Sequence, residues 1–158
     1  MNIIEAGDLF ESDAQTIVNT VNCMGVMGKG LALNFKNRYP RMFKEYSNIC
    51  RKGLLDIGRL WLYKTENRWI LNFPTKYDWR APSEIYFLEA GLEKFMLTYR
   101  ERNITSIAFP LLGASNGGID PDISLNLMQR YLATCDIPVT IYLKFKAENS
   151  GALFLTGL

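Results

Sequence analysis

Apolar residues run along this chain in two rhythms. Short runs rich in Ile, Val, Leu and aromatic residues, at residues 1–5, 16–21, 60–65, 68–73, 104–109 and 139–145, have the length and side-chain types of β-strands. Between them apolar positions return every three or four residues, as on one face of a helix. The clearest case is residues 83–102, where Ile85, Leu88, Leu92, Phe95, Met96 and Tyr99 share a stripe and Glu89, Glu93, Lys94 and Arg100 face water. A second helix is expected to start at Asp120 and Pro121, with Asp as the cap, Pro in the first turn, and Leu127, Met128, Tyr131 and Leu132 facing inward. Residues 31–52 read as two short helices broken at Tyr39 and Pro40, because the residue before a proline avoids helical angles. Strands alternating with helices predict an α/β layered domain.

At 158 residues the chain suits one domain, with a core of about residues 1–146. Residues 147–158 read as a tail or a linker to a possible further domain, since Asn149, Ser150 and Gly151 form a turn signal. Histidine is absent, which excludes Ser-His-Asp and Cys-His catalysis and any zinc site that needs an imidazole. Cys23, Cys50 and Cys135 are odd in number and far apart, so neither a disulfide framework nor a Cys-x-x-Cys motif is expected, and a reducing cytoplasm is. No apolar run approaches membrane-spanning length, so a soluble protein with no membrane partner is expected. Neither a metal nor a cofactor is called for. The 18 basic and 16 acidic residues nearly cancel, so overall charge names no partner. Their placement is less even: seven basic residues against Glu45 alone lie between Lys29 and Lys52, and five against Glu66 and Asp78 between Arg59 and Arg80. That side suits an anionic ligand.

Three stretches carry candidate chemistry. Gly25, Val26, Met27, Gly28, Lys29 and Gly30 join a strand to a helix, so their backbone N–H groups and the helix N-terminus can receive a diphosphate. The loop is neither a Walker A motif, since Leu31 and Ala32 follow Gly30, nor the Gly-x-Gly-x-x-Gly of dinucleotide folds. Taken alone such a loop is more often a plain turn than a ligand site. A second loop, Leu112, Gly113, Ala114, Ser115, Asn116, Gly117 and Gly118, again leads from a strand to a helix, and two such loops at one sheet edge can grip a diphosphate from both sides. Asp8, before Leu9, can accept a hydrogen bond from an adenine amine or cap a helix; Asn19 and Asn22 can meet ribose hydroxyls or simply end a strand. In the third stretch Lys76 lies among aromatics, where desolvation would favour a nucleophilic or acid–base amine. Tyr77 or Trp79 can stack on a base and Arg80 can meet a phosphate, although a loop pinned by a buried Trp has the same composition.

Gly7-Asp8-Leu9, residues 18–22, residues 25–32 and residues 110–118 together resemble a macrodomain, the three-layer α/β/α module with a central mixed sheet that binds ADP-ribose. The segment Asn72-Phe73-Pro74-Thr75-Lys76 with Trp79-Arg80 is most similar to the DarG antitoxin branch, which removes ADP-ribose from thymidine in DNA modified by DarT toxins. The resemblance implies Asp8 at the adenine, Asn22 at the distal ribose, residues 25–30 at that ribose and the diphosphate, residues 113–118 at the diphosphate, and Lys76 as the catalytic lysine. It also implies ADP-ribosylated single-stranded DNA as substrate and a DarT-type toxin as a further partner; separately, a monomer is expected. A related branch acting on protein carboxylates carries an Asp where this chain has Gly117, so a Lys-Asp pair does not carry over. An ADP-ribose reader without turnover, or a hydrolase of glutamate-linked ADP-ribose, is the alternative.

Overall fold

The computed structural model describes residues 1–146; the expected tail or linker lies outside the described residues. Six strands form one sheet: β1 (Asn2–Gly7), β2 (Thr16–Val21), β3 (Trp61–Lys64), β4 (Trp69–Pro74), β5 (Ile107–Pro110) and β6 (Val139–Phe145). Their order across the sheet is β1-β6-β5-β2-β4-β3. Every neighbouring pair is parallel except β3 with β4, a hairpin that closes one edge.

Four helices cover the sheet: α1 (Gly30–Arg38), α2 (Pro40–Arg51), α3 (Ile85–Thr98) and α4 (Pro121–Leu132). Strands buried on both faces explain the near-continuous apolar runs of the sequence. Ile17, Val21 and Ile70 pack with Phe35, Met42 and Tyr46 of α1 and α2. Their neighbours Val18, Leu71 and Phe73 pack with Leu88, Leu92, Phe95, Leu127 and Met128 of α3 and α4. The result is the three-layer α/β/α arrangement expected from the sequence.

Local chemistry sets the helix ends. Proline opens α2, where a missing N–H costs nothing, and Tyr39 ahead of it leaves helical geometry with φ −129° and ψ 66°. Asp120 caps α4 by accepting from the N–H groups of Asp122 at 2.9 Å and Ile123 at 3.3 Å. One expected stripe needs correction. Helix α3 starts at Ile85, which is exposed, while Phe87 and Gly91 point inward instead. The reason is a close approach: a Cβ on Gly91 would collide with the Phe73 ring of β4. Gly91→Ala is therefore expected to cost about 1–3 kcal/mol, an overpacking penalty that outweighs alanine's better helix propensity. Urea unfolding of the two proteins measures it, and equal midpoints would refute the close packing.

Strand β5 also starts later than the expected residue 104. Ile104 is buried in a turn closed by its N–H donating to the carbonyl of Tyr99 at 3.0 Å. Among the described residues no helix is long and apolar enough to cross a membrane.

Candidate active site

Parallel pairing puts the carboxyl ends of β2, β4 and β5 at one edge, where α/β sheets bind ligands. The loops that follow them, residues 22–29, 75–84 and 111–120, are joined there by their own backbones. The β2–β4 ladder runs on past the strands: the Thr75 N–H donates to the Val21 carbonyl at 2.9 Å, and the Cys23 N–H to the Tyr77 carbonyl at 3.0 Å. At its other end the middle loop donates the Ser83 N–H to the Gly117 carbonyl at 2.8 Å. The two glycine loops also approach each other, since a Cβ on Gly30 would lie 3.3 Å from Asn116 Nδ2. The segment bearing Lys76 is thus a strap tied to both.

The first loop rests on α2. Gly25, at φ +87°, lies flat against it, with Ser47 and Cys50 each 3.6 Å from where its Cβ would stand. Asn22 is buried, and its Oδ1 accepts from the N–H groups of Met24 at 3.0 Å and Val26 at 3.3 Å and from the Tyr46 hydroxyl at 2.9 Å. Its Nδ2 donates to the Val26 carbonyl at 2.7 Å. Beyond it the chain exposes Val26, Gly28, Lys29 and Gly30 and buries Met27. Helix α1 then opens after Lys29 with no side-chain cap and no acidic residue in its first turn, an arrangement that favours an anion.

Asn19 departs from the expected ribose contact. It is fully buried beneath the loop, where its Nδ2 donates to Asn72 Oδ1 at 3.1 Å and lies 3.8 Å from the Met27 sulfur. Strand register explains this, because Asn19 and Asn72 stand opposite each other on β2 and β4. Its side chain supports the loop from below.

The second loop turns at Gly113, φ +68°, and Gly118, φ +79°, and closes when the Ile119 N–H donates to the Gly113 carbonyl at 2.9 Å. Ser115, Asn116 and Gly118 are exposed, Ala114 is half-buried, and Leu112, Gly113 and Gly117 are buried. Leu112 is anchored through its carbonyl, which accepts from the buried Ser124 hydroxyl at 2.6 Å.

On the strap, Lys76 is half-buried and its Nζ donates to the Trp79 carbonyl at 3.3 Å. Trp79 is exposed rather than a buried anchor, as is Tyr77, and Met24 and Val26 of the first loop are exposed alongside. Arg80 differs from the expected free phosphate ligand. Its guanidinium donates to both oxygens of Asp78, at 3.0 and 2.8 Å, and those hydrogen bonds hold the Asp78 carboxyl below its usual range. The pair is solvent-exposed, so a DNA phosphate has to compete with Asp78 for Arg80. Cys23 is pushed up to about 12 by burial, so this thiol is no nucleophile at neutral pH.

Asp8 follows β1 and accepts from the Phe10 N–H at 2.9 Å, capping the short 3-10 turn Leu9–Glu11, in which Leu9 is core. The capping alternative is therefore realised by one carboxylate oxygen. Sequence reasoning missed Tyr46, which bonds the first loop, Asn72, which takes the Asn19 amide beneath it, and Ser83, whose N–H ties the strap to the second loop. Asn72 was the one with a signal, a polar residue inside an apolar strand.

Glycine loops closing on a strap at the carboxyl edge match the family comparison, in which residues 18–128 fit the Macro domain model. The chain belongs to the macro domain family. A curated relative, the DNA ADP-ribosyl glycohydrolase of Mycobacterium tuberculosis, is 44% identical over 142 residues, 87% of this macrodomain and 40% of its own length. The solved macrodomain of Mycobacterium tuberculosis DarG superposes with a TM-score of 0.85 at 42% identity, covering 89% of this chain and 96% of that one. From Thermosipho africanus, a DNA ADP-ribosyl transferase-DNA ADP-ribosyl glycohydrolase fusion protein is 38% identical over 90% of this chain and 42% of its own. Thermosipho africanus DarTG, solved in complex with ADP-ribose, superposes with a TM-score of 0.82 at 38% identity, covering 88% of this macrodomain and 40% of that chain. The chain thus spans about 40% of the length of the curated relatives it matches.

Proposed function

We propose that this macrodomain is a DNA ADP-ribosyl glycohydrolase that cleaves ADP-ribose from thymine bases in single-stranded DNA. The observation that carries this reading is Lys76, on a strap hydrogen-bonded to both glycine loops, with its amine held in place by the Trp79 carbonyl. The loops and the uncapped start of α1 are suited to the diphosphate, Asp8 to the adenosine end, with Leu9 serving in the core beneath it rather than as the expected contact, and Asn22 to the distal ribose. That order brings the anomeric carbon toward Lys76. In the net reaction water supplies a hydroxyl to that carbon, and the electron pair of the broken carbon–nitrogen bond leaves with the thymine nitrogen, which takes up the remaining proton of the water and is restored in its unmodified form. The names of the Mycobacterium and Thermosipho relatives support both the activity and a role as antitoxin to a DNA ADP-ribosyltransferase. Three free thiols agree with the cytoplasmic setting that a DNA substrate entails.

The test is to offer the protein a thymidine-ADP-ribosylated oligonucleotide and a glutamate-ADP-ribosylated protein and to measure free ADP-ribose. Release from the oligonucleotide alone is expected. Release from neither leaves a reader, and release only from protein replaces the substrate.

Exposed Tyr77 and Trp79, beside Met24 and Val26, suit stacking of the bases that flank the modified one. Trp79→Ala is expected to weaken binding of a modified oligonucleotide by about 1–3 kcal/mol while leaving free ADP-ribose nearly unaffected. Fluorescence anisotropy with both ligands measures the split, and equal losses would move the strand elsewhere.

A further inference from the structure

Asn22 is held more tightly than a ribose-binding amide has to be. Its Oδ1 already receives three donors, the N–H groups of Met24 and Val26 and the hydroxyl of Tyr46. One of its two Nδ2 hydrogens goes to the Val26 carbonyl at 2.7 Å. An amide with its oxygen saturated and one hydrogen spent has a single donor left. Of its holders only Tyr46 comes from another layer of the fold, from the middle of α2 and fully buried. Its hydroxyl lies 2.7 Å from the Asn22 backbone carbonyl and 2.9 Å from Oδ1, so one O–H bridges the main chain and the side chain of the same residue. Burial pushes the phenol well above its ordinary range, so it stays a donor at every working pH.

We propose that Tyr46 is a positioning residue for the glycohydrolase reaction: its hydroxyl locks the Asn22 amide so that Asn22 meets the distal ribose as a hydrogen-bond donor only. This rests on the reading of Asn22 as the ribose contact. The acceptor it addresses is a hydroxyl oxygen of that ribose, next to the carbon at which the bond breaks. An amide free to rotate would still bind ADP-ribose through the loops but would place the anomeric carbon less sharply against Lys76.

Tyr46→Phe removes one hydroxyl and keeps the ring in its pocket. Single-turnover release of ADP-ribose from a modified oligonucleotide is expected to slow about tenfold, with ADP-ribose affinity by calorimetry changed less than about threefold. In an Asn22→Ala background Tyr46→Phe should slow the reaction no further, which a general loosening of α2 would not reproduce. Wild-type NMR supplies a readout without turnover. The Tyr46 hydroxyl proton should be visible, protected from exchange and close to the Asn22 side chain, and only one Asn22 Hδ2 resonance should shift when ADP-ribose is added. A wild-type rate in Tyr46→Phe, full additivity with Asn22→Ala, or equal shifts of both Hδ2 resonances would overturn the proposal. If the wild-type protein releases no ADP-ribose from DNA, the glycohydrolase reading falls by itself. The NMR arm then still decides whether Tyr46 orients Asn22 toward ADP-ribose.

Discussion

Lys76→Ala is expected to slow release of ADP-ribose from thymidine by about a hundred- to ten-thousandfold while ADP-ribose binding stays within about tenfold. The asymmetry follows from where the contacts lie. In the proposed binding mode the ground-state contacts come from the backbone of two glycine loops and from the start of α1, none of which needs the lysine side chain. In the free protein the amine is engaged only modestly, donating to the Trp79 carbonyl at 3.3 Å, so a ligand displaces it at little cost. Two routes use it. As a neutral amine it attacks the anomeric carbon, forming a carbon–nitrogen bond as the bond to thymine breaks; the resulting glycosylamine loses a proton and opens its ring to an imine, which water hydrolyses to release ADP-ribose and restore the lysine. As an ammonium it offsets the negative charge growing on the departing base. Lys76→Arg separates them, because a guanidinium keeps the charge and is no nucleophile at neutral pH. Partial rescue by Arg, with no adduct trapped by borohydride in the wild type, selects the ammonium; a dead Arg variant with a trapped adduct selects attack. Near-normal turnover by Lys76→Ala would remove the lysine from the chemistry.

The elements around that lysine were legible where a local signal suffices. Strands β2 and β6 fall on the expected residues 16–21 and 139–145 because each is an apolar run ended by polar or turn-forming residues. The break at Tyr39 and Pro40 and the Asp120 cap are rules about adjacent residues, and both hold. What failed required knowledge of a partner distant in sequence. Asn19 reads the same whether its amide faces a ligand or another strand, and Asn72, which takes that amide, lies 53 positions away. Tyr46 looks like one more aromatic on a helix until α2 folds beneath the first loop and its hydroxyl meets Asn22, 24 positions earlier. The inward stripe of α3 keeps Leu88, Leu92, Phe95 and Tyr99 as expected but gives up Ile85 and adds Phe87 and Gly91 for a similar reason, since the Phe73 ring packs where Gly91 lets the helix approach the sheet. Arg80 is the exception. Asp78, its neutralising partner, is only two residues away, so the ion pair is a local signal of the kind a sequence does carry.

Gly28 and Gly117 look equivalent in the sequence, as small residues that let a diphosphate approach, yet their alanine variants should behave differently. A Cβ on Gly117 would collide with the Gly113 carbonyl oxygen and stand 2.8 Å from the Gly113 carbonyl carbon and 2.5 Å from Ser83 Oγ. Two of these are backbone atoms of the same loop, so the loop must open whether or not a ligand is present. Opening it also strains the bonds from Ser83 N–H to Gly117 and from Ile119 N–H to Gly113 that tie strap and loop together. Gly117→Ala should therefore destabilise the free protein by about 1–3 kcal/mol and weaken ADP-ribose binding. Gly117→Glu should bind still more weakly because it adds a negative charge beside the diphosphate. At Gly28 the nearest atom to an added Cβ is Val26 Cγ1 at an ordinary 3.6 Å, and φ there is not in the left-handed region. Gly28→Ala should leave the unfolding midpoint of the free protein unchanged, so any loss of affinity reports crowding by the ligand itself. Thermal unfolding with calorimetry on both variants makes the separation. Equal stability of Gly117→Ala and wild type would mean that the second loop closes differently from the geometry described, and full affinity in Gly28→Ala would take that glycine away from the diphosphate.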